Sequence, residues 1–226
     1  MQCNNCQTFE CVKIWHHPAF EFAGQEISVD DILAKADEIR PVADGITFGG
    51  GEPTLQADEL LTALKALRRK GIHTAVESNA GTEAYRQLPG NTDYLISDLK
   101  AGSEENYLRL TGCDGRIVRR NLLQAAKEQK ELLIRIPLIP GCNTSDSELQ
   151  MMRDFLAGLL DWRHKLCVQT LRLHHAGSAK YKALRQPYPL EGVEPPAAEL
   201  QDYFHRMLSA SGLTVLDFNN REIKNV

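Results

Sequence analysis

The sequence predicts an α/β protein built on a parallel sheet, open or curled into a barrel. Segments of strand character and helix character alternate over the whole length, with no linker, low-complexity tract or internal repeat between them. At 226 residues, 42% apolar and 25% charged, the chain fits one domain with a full core. Polar residues and glycines gather where the strand-like runs stop, the side on which parallel α/β sheets bind ligands.

Taken in order, Ser28 with Asp31 three residues on is a cap signal that opens a helix through about Ile39. A short strand follows at 46–48. Leu60, Leu61, Leu64 and Leu67 form a helical stripe over 57–70, which Gly71 closes. A strand at 72–77, a short helix near 82–88 and a strand at 94–97 come next. Residues 116–129 read as helix, 132–138 as strand, 145–160 as helix and 168–173 as strand. A helix at 196–211 ends at Gly212, and 213–218 is the last strand.

The first strand runs into Gly49-Gly-Gly-Glu-Pro-Thr-Leu-Gln56, and this loop carries the strongest local signal. Consecutive glycines let the backbone take positive φ and lie against a ligand, while Glu52 can accept hydrogen bonds from an ammonium or hydroxyl. A phosphate loop would need Gly-Lys-Ser/Thr after the glycines. A dinucleotide loop would need a spaced third glycine where Thr54 stands. A tight βα turn without function is the competing reading.

Composition excludes several classes. Net charge is −4, and the only basic clusters, Arg68-Arg69-Lys70 and Arg119-Arg120, fall on candidate helices, so nucleic acid binding is not indicated. No basic start with an apolar core marks a secretory signal, and no membrane segment is expected, which points to a cytoplasmic setting. Cys3, Cys6 and Cys11 crowd into the first eleven residues, while Cys113, Cys142 and Cys167 are scattered. In a reducing compartment such crowding suggests metal more than disulfide.

The strand ends after the glycine loop carry Glu77-Ser78-Asn79, Asp98-Leu99-Lys100, Arg135, Pro140-Gly141 and His174-His175. Singly each has a bland explanation: Asp98 with Lys100 as a surface pair, Arg135 as a strand residue reaching for water, His174 as a satisfied core imidazole. Together they line one mouth with a carboxylate acceptor, two cations, an amide and an imidazole, a set suited to a zwitterionic ligand with a ribose.

These motifs, with Leu110-Thr-Gly112, Ile134-Arg-Ile-Pro-Leu-Ile-Pro-Gly141, Lys180-Tyr-Lys-Ala-Leu184 and Tyr188-Pro-Leu-Glu-Gly-Val-Glu-Pro-Pro196, stand in the order of a known family. From about Glu10 to Phe218 the chain resembles the radical S-adenosylmethionine (SAM) activating enzymes of glycyl radical enzymes, the pyruvate formate-lyase activating enzyme group. The resemblance implies a partial (β/α)6, TIM-like barrel, a [4Fe-4S] cluster, and SAM cleaved reductively to a radical that takes a hydrogen from a backbone glycine of a partner enzyme. It also implies a flavodoxin or ferredoxin-type electron donor, a monomer and anaerobic handling. By position, Gly50, Gly51 and Glu52 would hold the methionine amino group. Ser78, Asn79, Asp98 and Lys100 would surround the ribose, the carboxylate and a monovalent cation near Asp98, with Arg135 and His174 completing the pocket. Glu77 stands where the family often has aspartate.

The family's C-x3-C-x2-C motif after a first barrel strand is missing, and Cys3-x2-Cys6-x4-Cys11 stands at the chain start instead. The barrel is therefore expected to lack the usual first strand, with 1–27 as a cysteine-containing segment and 28–226 as the barrel. Three thiolates can hold three irons of a cubane and leave the fourth open. On this reading Cys3, Cys6 and Cys11 are the cluster ligands. Three others stay open: the cysteines are the remnant of a ferredoxin-like insert, with Trp15 in place of a fourth cysteine; Trp15-His16-His17-Pro18 echoes the segment after the family's cluster; or the cysteines hold no metal at all. The rival function is a catalytically inactive or truncated relative that keeps the SAM pocket and partner surface. An ordinary barrel isomerase or lyase lacks its acid–base pair at the strand ends.

Overall fold

The computed structural model describes residues 24–162 and 166–223. Helix α1 (Val29–Ile39) starts at the expected capping box, in which the Ser28 hydroxyl accepts from the Asp31 amide and the Asp31 carboxylate accepts from the Ser28 amide. Its Ile32, Leu33 and Ala36 pack with Ile46, Phe48, Leu67 and Ile72. Strand β1 (Gly45–Phe48) leads through a 3-10 turn (Pro53–Gln56) to α2 (Ala57–Arg69), whose Leu64 and Leu67 are fully buried. Each such leucine contributes about 1.5–3 kcal/mol relative to an exposed one.

The chain continues as β2 (His73–Ser78), a 3-10 turn (Glu83–Gln87), β3 (Tyr94–Asp98), α3 (Glu104–Thr111), α4 (Gly115–Glu128) and β4 (Glu131–Leu138). Then come α5 (Asp146–Leu159), β5 (Cys167–Arg172), α6 (Ser178–Ala183), α7 (Ala198–Ala210) and β6 (Thr214–Leu216). The expected helix near 82–88 is a 3-10 turn, and α3 and α6 are additional. Helix α3 lacks an apolar stripe, burying only Tyr107, and is held by the Ser103 cap and by the left-handed Gly112 that ends it.

All five strand pairings are parallel and the sheet order follows the chain, β1-β2-β3-β4-β5-β6. Among the described residues the only strand beside β1 is β2 and the only strand beside β6 is β5, with a single antiparallel bridge from Leu216 to Glu222 beyond it, so this sheet is open; the question of a preceding strand falls outside them. Alternation assigns the two faces. Val76, Leu95, Ile134, Ile136, Val168 and Val215 join the main core with the helices. Tyr94, Ile96, Leu133, Cys167 and Leu216 form a smaller cluster on the other face. Among the described residues no helix is long and apolar enough to cross a membrane.

Candidate functional site

The ends of β1, β2 and β3 are neighbours because the strands are, and the loops leaving them enclose a cavity of about 380 Å³ lined by Gly50, Gly51, Glu77, Ser78, Asn79, Asp98 and Lys100. Gly50 has φ +114°, a conformation that side chains disfavour. A Cβ built on Gly50 or Gly51 meets nothing within 4 Å, so the glycines leave a backbone wall open to a ligand.

Glu52 ties that wall to the next strand. One carboxylate oxygen accepts from the Thr54 amide at 3.1 Å, from the Thr54 hydroxyl and from the Ser78 hydroxyl at 2.8 Å. The other accepts from the Asn79 amide at 2.8 Å. Thr54 in turn accepts from the Thr82 hydroxyl at 2.6 Å. Glu52 thus stands behind the cavity wall, its charge one loop away from the space.

Beyond β2 the chain turns through Ala80, which is fully buried and has φ 57°. The Ser78 hydroxyl accepts from the Ala80 amide at 3.1 Å and the Asn79 side-chain oxygen accepts from Gly81 at 2.7 Å. From α4, the Asn121 amide group donates to the carbonyls of Ala80 at 2.9 Å and Thr82 at 2.8 Å.

Charge on the wall is balanced within it. Lys100 Nζ lies 2.7 Å from Asp98 Oδ2, and Arg135 Nη1 lies 2.8 Å from Glu77 Oε1. Arg135 Nε also donates to Gln169 at 3.0 Å, and Gln169 donates to the Asp217 carbonyl at 2.6 Å. A zwitterion can enter such a site by exchanging partners with these ion pairs, adding no net charge to a partly buried space.

Of the nine expected cofactor residues, the structure brings Gly50, Gly51, Ser78, Asn79, Asp98 and Lys100 to one cavity. Glu52 lies behind it, and Arg135 reaches it through Glu77. His174 is exposed and borders a separate cavity of about 440 Å³ with Arg172, His205 and Phe218. Glu77, expected at the mouth but not among the nine cofactor residues, also lines the wall. Asn121 gave one signal in the sequence, an amide within the helical stripe of Val118, Leu122 and Ala125. Cys3, Cys6 and Cys11 lie outside the described residues, and among the described residues no group of three or more His, Cys, Asp or Glu is placed to hold a metal. The open glycine wall and the paired charges fit the methionine end of SAM.

The pattern of the Radical SAM superfamily matches residues 1–156. The indoleacetate decarboxylase activating enzyme of Tractidigestivibacter scatoligenes is 28% identical over 218 residues, covering 94% of this chain and 68% of its own length. The pyruvate formate-lyase-activating enzyme of Staphylococcus epidermidis is 29% identical over 220 residues, covering 94% and 86%. A crystal structure of a domain of pyruvate-formate lyase-activating enzyme from Bacteroides vulgatus superimposes with a TM-score of 0.60 at 25% identity, covering 77% of this chain and 99% of that one. The chain spans from 58% to 68% of the length of several curated relatives it matches.

Proposed function

The chain belongs to the radical SAM superfamily, and from that premise we propose that it is an activating enzyme for a glycyl radical enzyme. The observation that carries the reading is the cavity at the ends of β1, β2 and β3, where a glycine wall faces two internally compensated ion pairs. In this reading the exposed backbone of Gly50 and Gly51 takes the methionine ammonium, favoured by the charge of Glu52 behind it. Lys100 and Arg135 supply the cations for the carboxylate. Ser78 and Asn79 lie toward the ribose. A monovalent cation beside Asp98 belongs to the same proposal and shares that carboxylate with Lys100.

A [4Fe-4S] cluster on Cys3, Cys6 and Cys11 would supply the electron for reductive cleavage of SAM, so 1–27 is the cluster segment and 28–226 the barrel that positions the cofactor. A cytoplasmic monomer served by a flavodoxin or ferredoxin-type donor completes the proposal. The relatives named for activating enzymes support the reaction class.

The test is iron and sulfide content after anaerobic reconstitution, with electron paramagnetic resonance of the dithionite-reduced protein with and without SAM. About four irons per chain and a signal changed by SAM are expected. Replacing Cys3, Cys6 or Cys11 by serine should abolish the signal, whereas Cys142→Ser should leave iron unchanged. Absence of stable iron with SAM still bound would favour a relative that keeps the pocket without the chemistry.

A further inference from the structure

We propose that Asn121 is a positioning residue for SAM, acting from α4 through the 78–82 turn that carries one wall of the cavity. This rests on the cofactor reading above and goes beyond it by naming a residue that touches neither the cavity nor its expected ligand.

Three observations meet at this side chain. The turn contains Ala80 at φ 57°, a conformation alanine avoids, so the surrounding structure must hold it. Both carbonyls that flank Gly81, those of Ala80 and Thr82, receive their bonds from the Asn121 amide nitrogen. Two acceptors at 2.9 and 2.8 Å also fix which end of the amide is nitrogen.

The third observation is the cost of the arrangement. Asn121 is fully buried, and its Oδ1 has no hydrogen-bond partner among the described residues. An unpaired buried acceptor is unfavourable, and the same helix fills its other inward positions with Val118, Leu122, Ala125 and Ala126. A side chain present only for packing would be apolar like these. The two bonds it does make hold the backbone immediately after Ser78 and Asn79, wall residues at the end of β2 and just beyond it. Without Asn121 the turn can relax to a negative φ at Ala80, moving the Asn79 amide off Glu52 and the wall with it.

The experiment uses the full chain after anaerobic reconstitution and measures SAM affinity by equilibrium dialysis, the melting temperature, and amide exchange at Gly81 without cofactor. Asn121→Ala is expected to weaken binding about tenfold, equivalent to about 1.4 kcal/mol, and to speed exchange at Gly81. Leu122→Ala, a buried neighbour on the same helix, should lower the melting temperature at least as far while keeping affinity within about twofold of wild type. Ala80→Gly placed in the Asn121→Ala background should recover part of the affinity, because glycine takes positive φ without the strain that alanine meets there.

If Asn121→Ala does not fold, Asn121→Ser, which retains a single donor, is read in the same way. Unchanged affinity in the Asn121 variant, or an equal loss in Leu122→Ala, overturns this inference alone. A wild-type chain that binds no SAM overturns the function proposed above and takes this inference with it.

Discussion

Replacing Glu52 by alanine removes the acceptor for four donors at once: the Thr54 amide and hydroxyl, the Ser78 hydroxyl and the Asn79 amide. Hydrogen bonds to a charged acceptor contribute about 1.5–3 kcal/mol each, but three of these share one oxygen and the loop is half-buried, so water recovers part of the loss. A cost of about 2–3 kcal/mol follows. For a domain of this size that corresponds to about 4–12 °C in melting temperature.

Glu52→Gln should lie between alanine and wild type, because its amide oxygen can keep the Thr54 and Ser78 donors while its NH2 group confronts the Asn79 amide. Thermal unfolding followed by circular dichroism reads stability, and equilibrium dialysis reads SAM affinity on the same samples. Both should fall in the order wild type, glutamine, alanine. A melting temperature for Glu52→Ala within 1 °C of wild type would refute the clamp as the element joining the two loops.

Other perturbations probe the remaining parts. Gly50→Val places a branched side chain at φ +114° and aims it into the cavity, so affinity for SAM should drop more than about tenfold while the fold survives; binding at wild-type strength would dismiss the glycine wall. Arg135→Ala strips Glu77 of its ion-pair partner and Gln169 of its donor, and dialysis should register weaker binding. Equal affinity would remove Arg135 from the site. Glu148 tests pH dependence: burial opposes its charge, but donors from Ser103, Asn106 and Gly102 outweigh that and hold its pKa below the usual 4.5. A depressed carboxylate stabilises the fold above that value and loses its contribution as pH falls below it. Melting temperature should therefore decline in acid, and Glu148→Gln should flatten the decline; parallel curves would count against the assignment.

The sheet was legible because its strands are short β-branched and apolar runs that end in glycine or charge. Each expected strand stands within a residue or two of its place, as with 72–77 against His73–Ser78. Helix α3 escaped notice because its boundaries rest on Ser103 and Gly112 and not on an apolar stripe. In the site, the residue types were readable but their orientation was not. Whether Glu52 faces a ligand or the neighbouring strand depends on β1 and β2 being paired, a relation between residues 26 and 27 positions apart. Asn121 depends on a helix from further along the chain packing beside the turn that follows β2. His174 was grouped with the others by its place after a strand, yet β5 is separated from β3 by β4 and borders a different cavity.

The order of strands in the sheet also has a consequence for how the molecule comes into being on the ribosome. Each strand docks beside the one made just before it, and the longest hop, from Cys167 to Thr214, falls at the end of the chain. All seven residues lining the cavity, from Gly50 to Lys100, belong to the first three strands and the loops after them. Yet the Asn121 brace and the Arg135 ion pair arrive only with α4 and β4. The polypeptide leaving the ribosome thus carries all seven cavity-lining residues before the helix and strand that fasten them have been made.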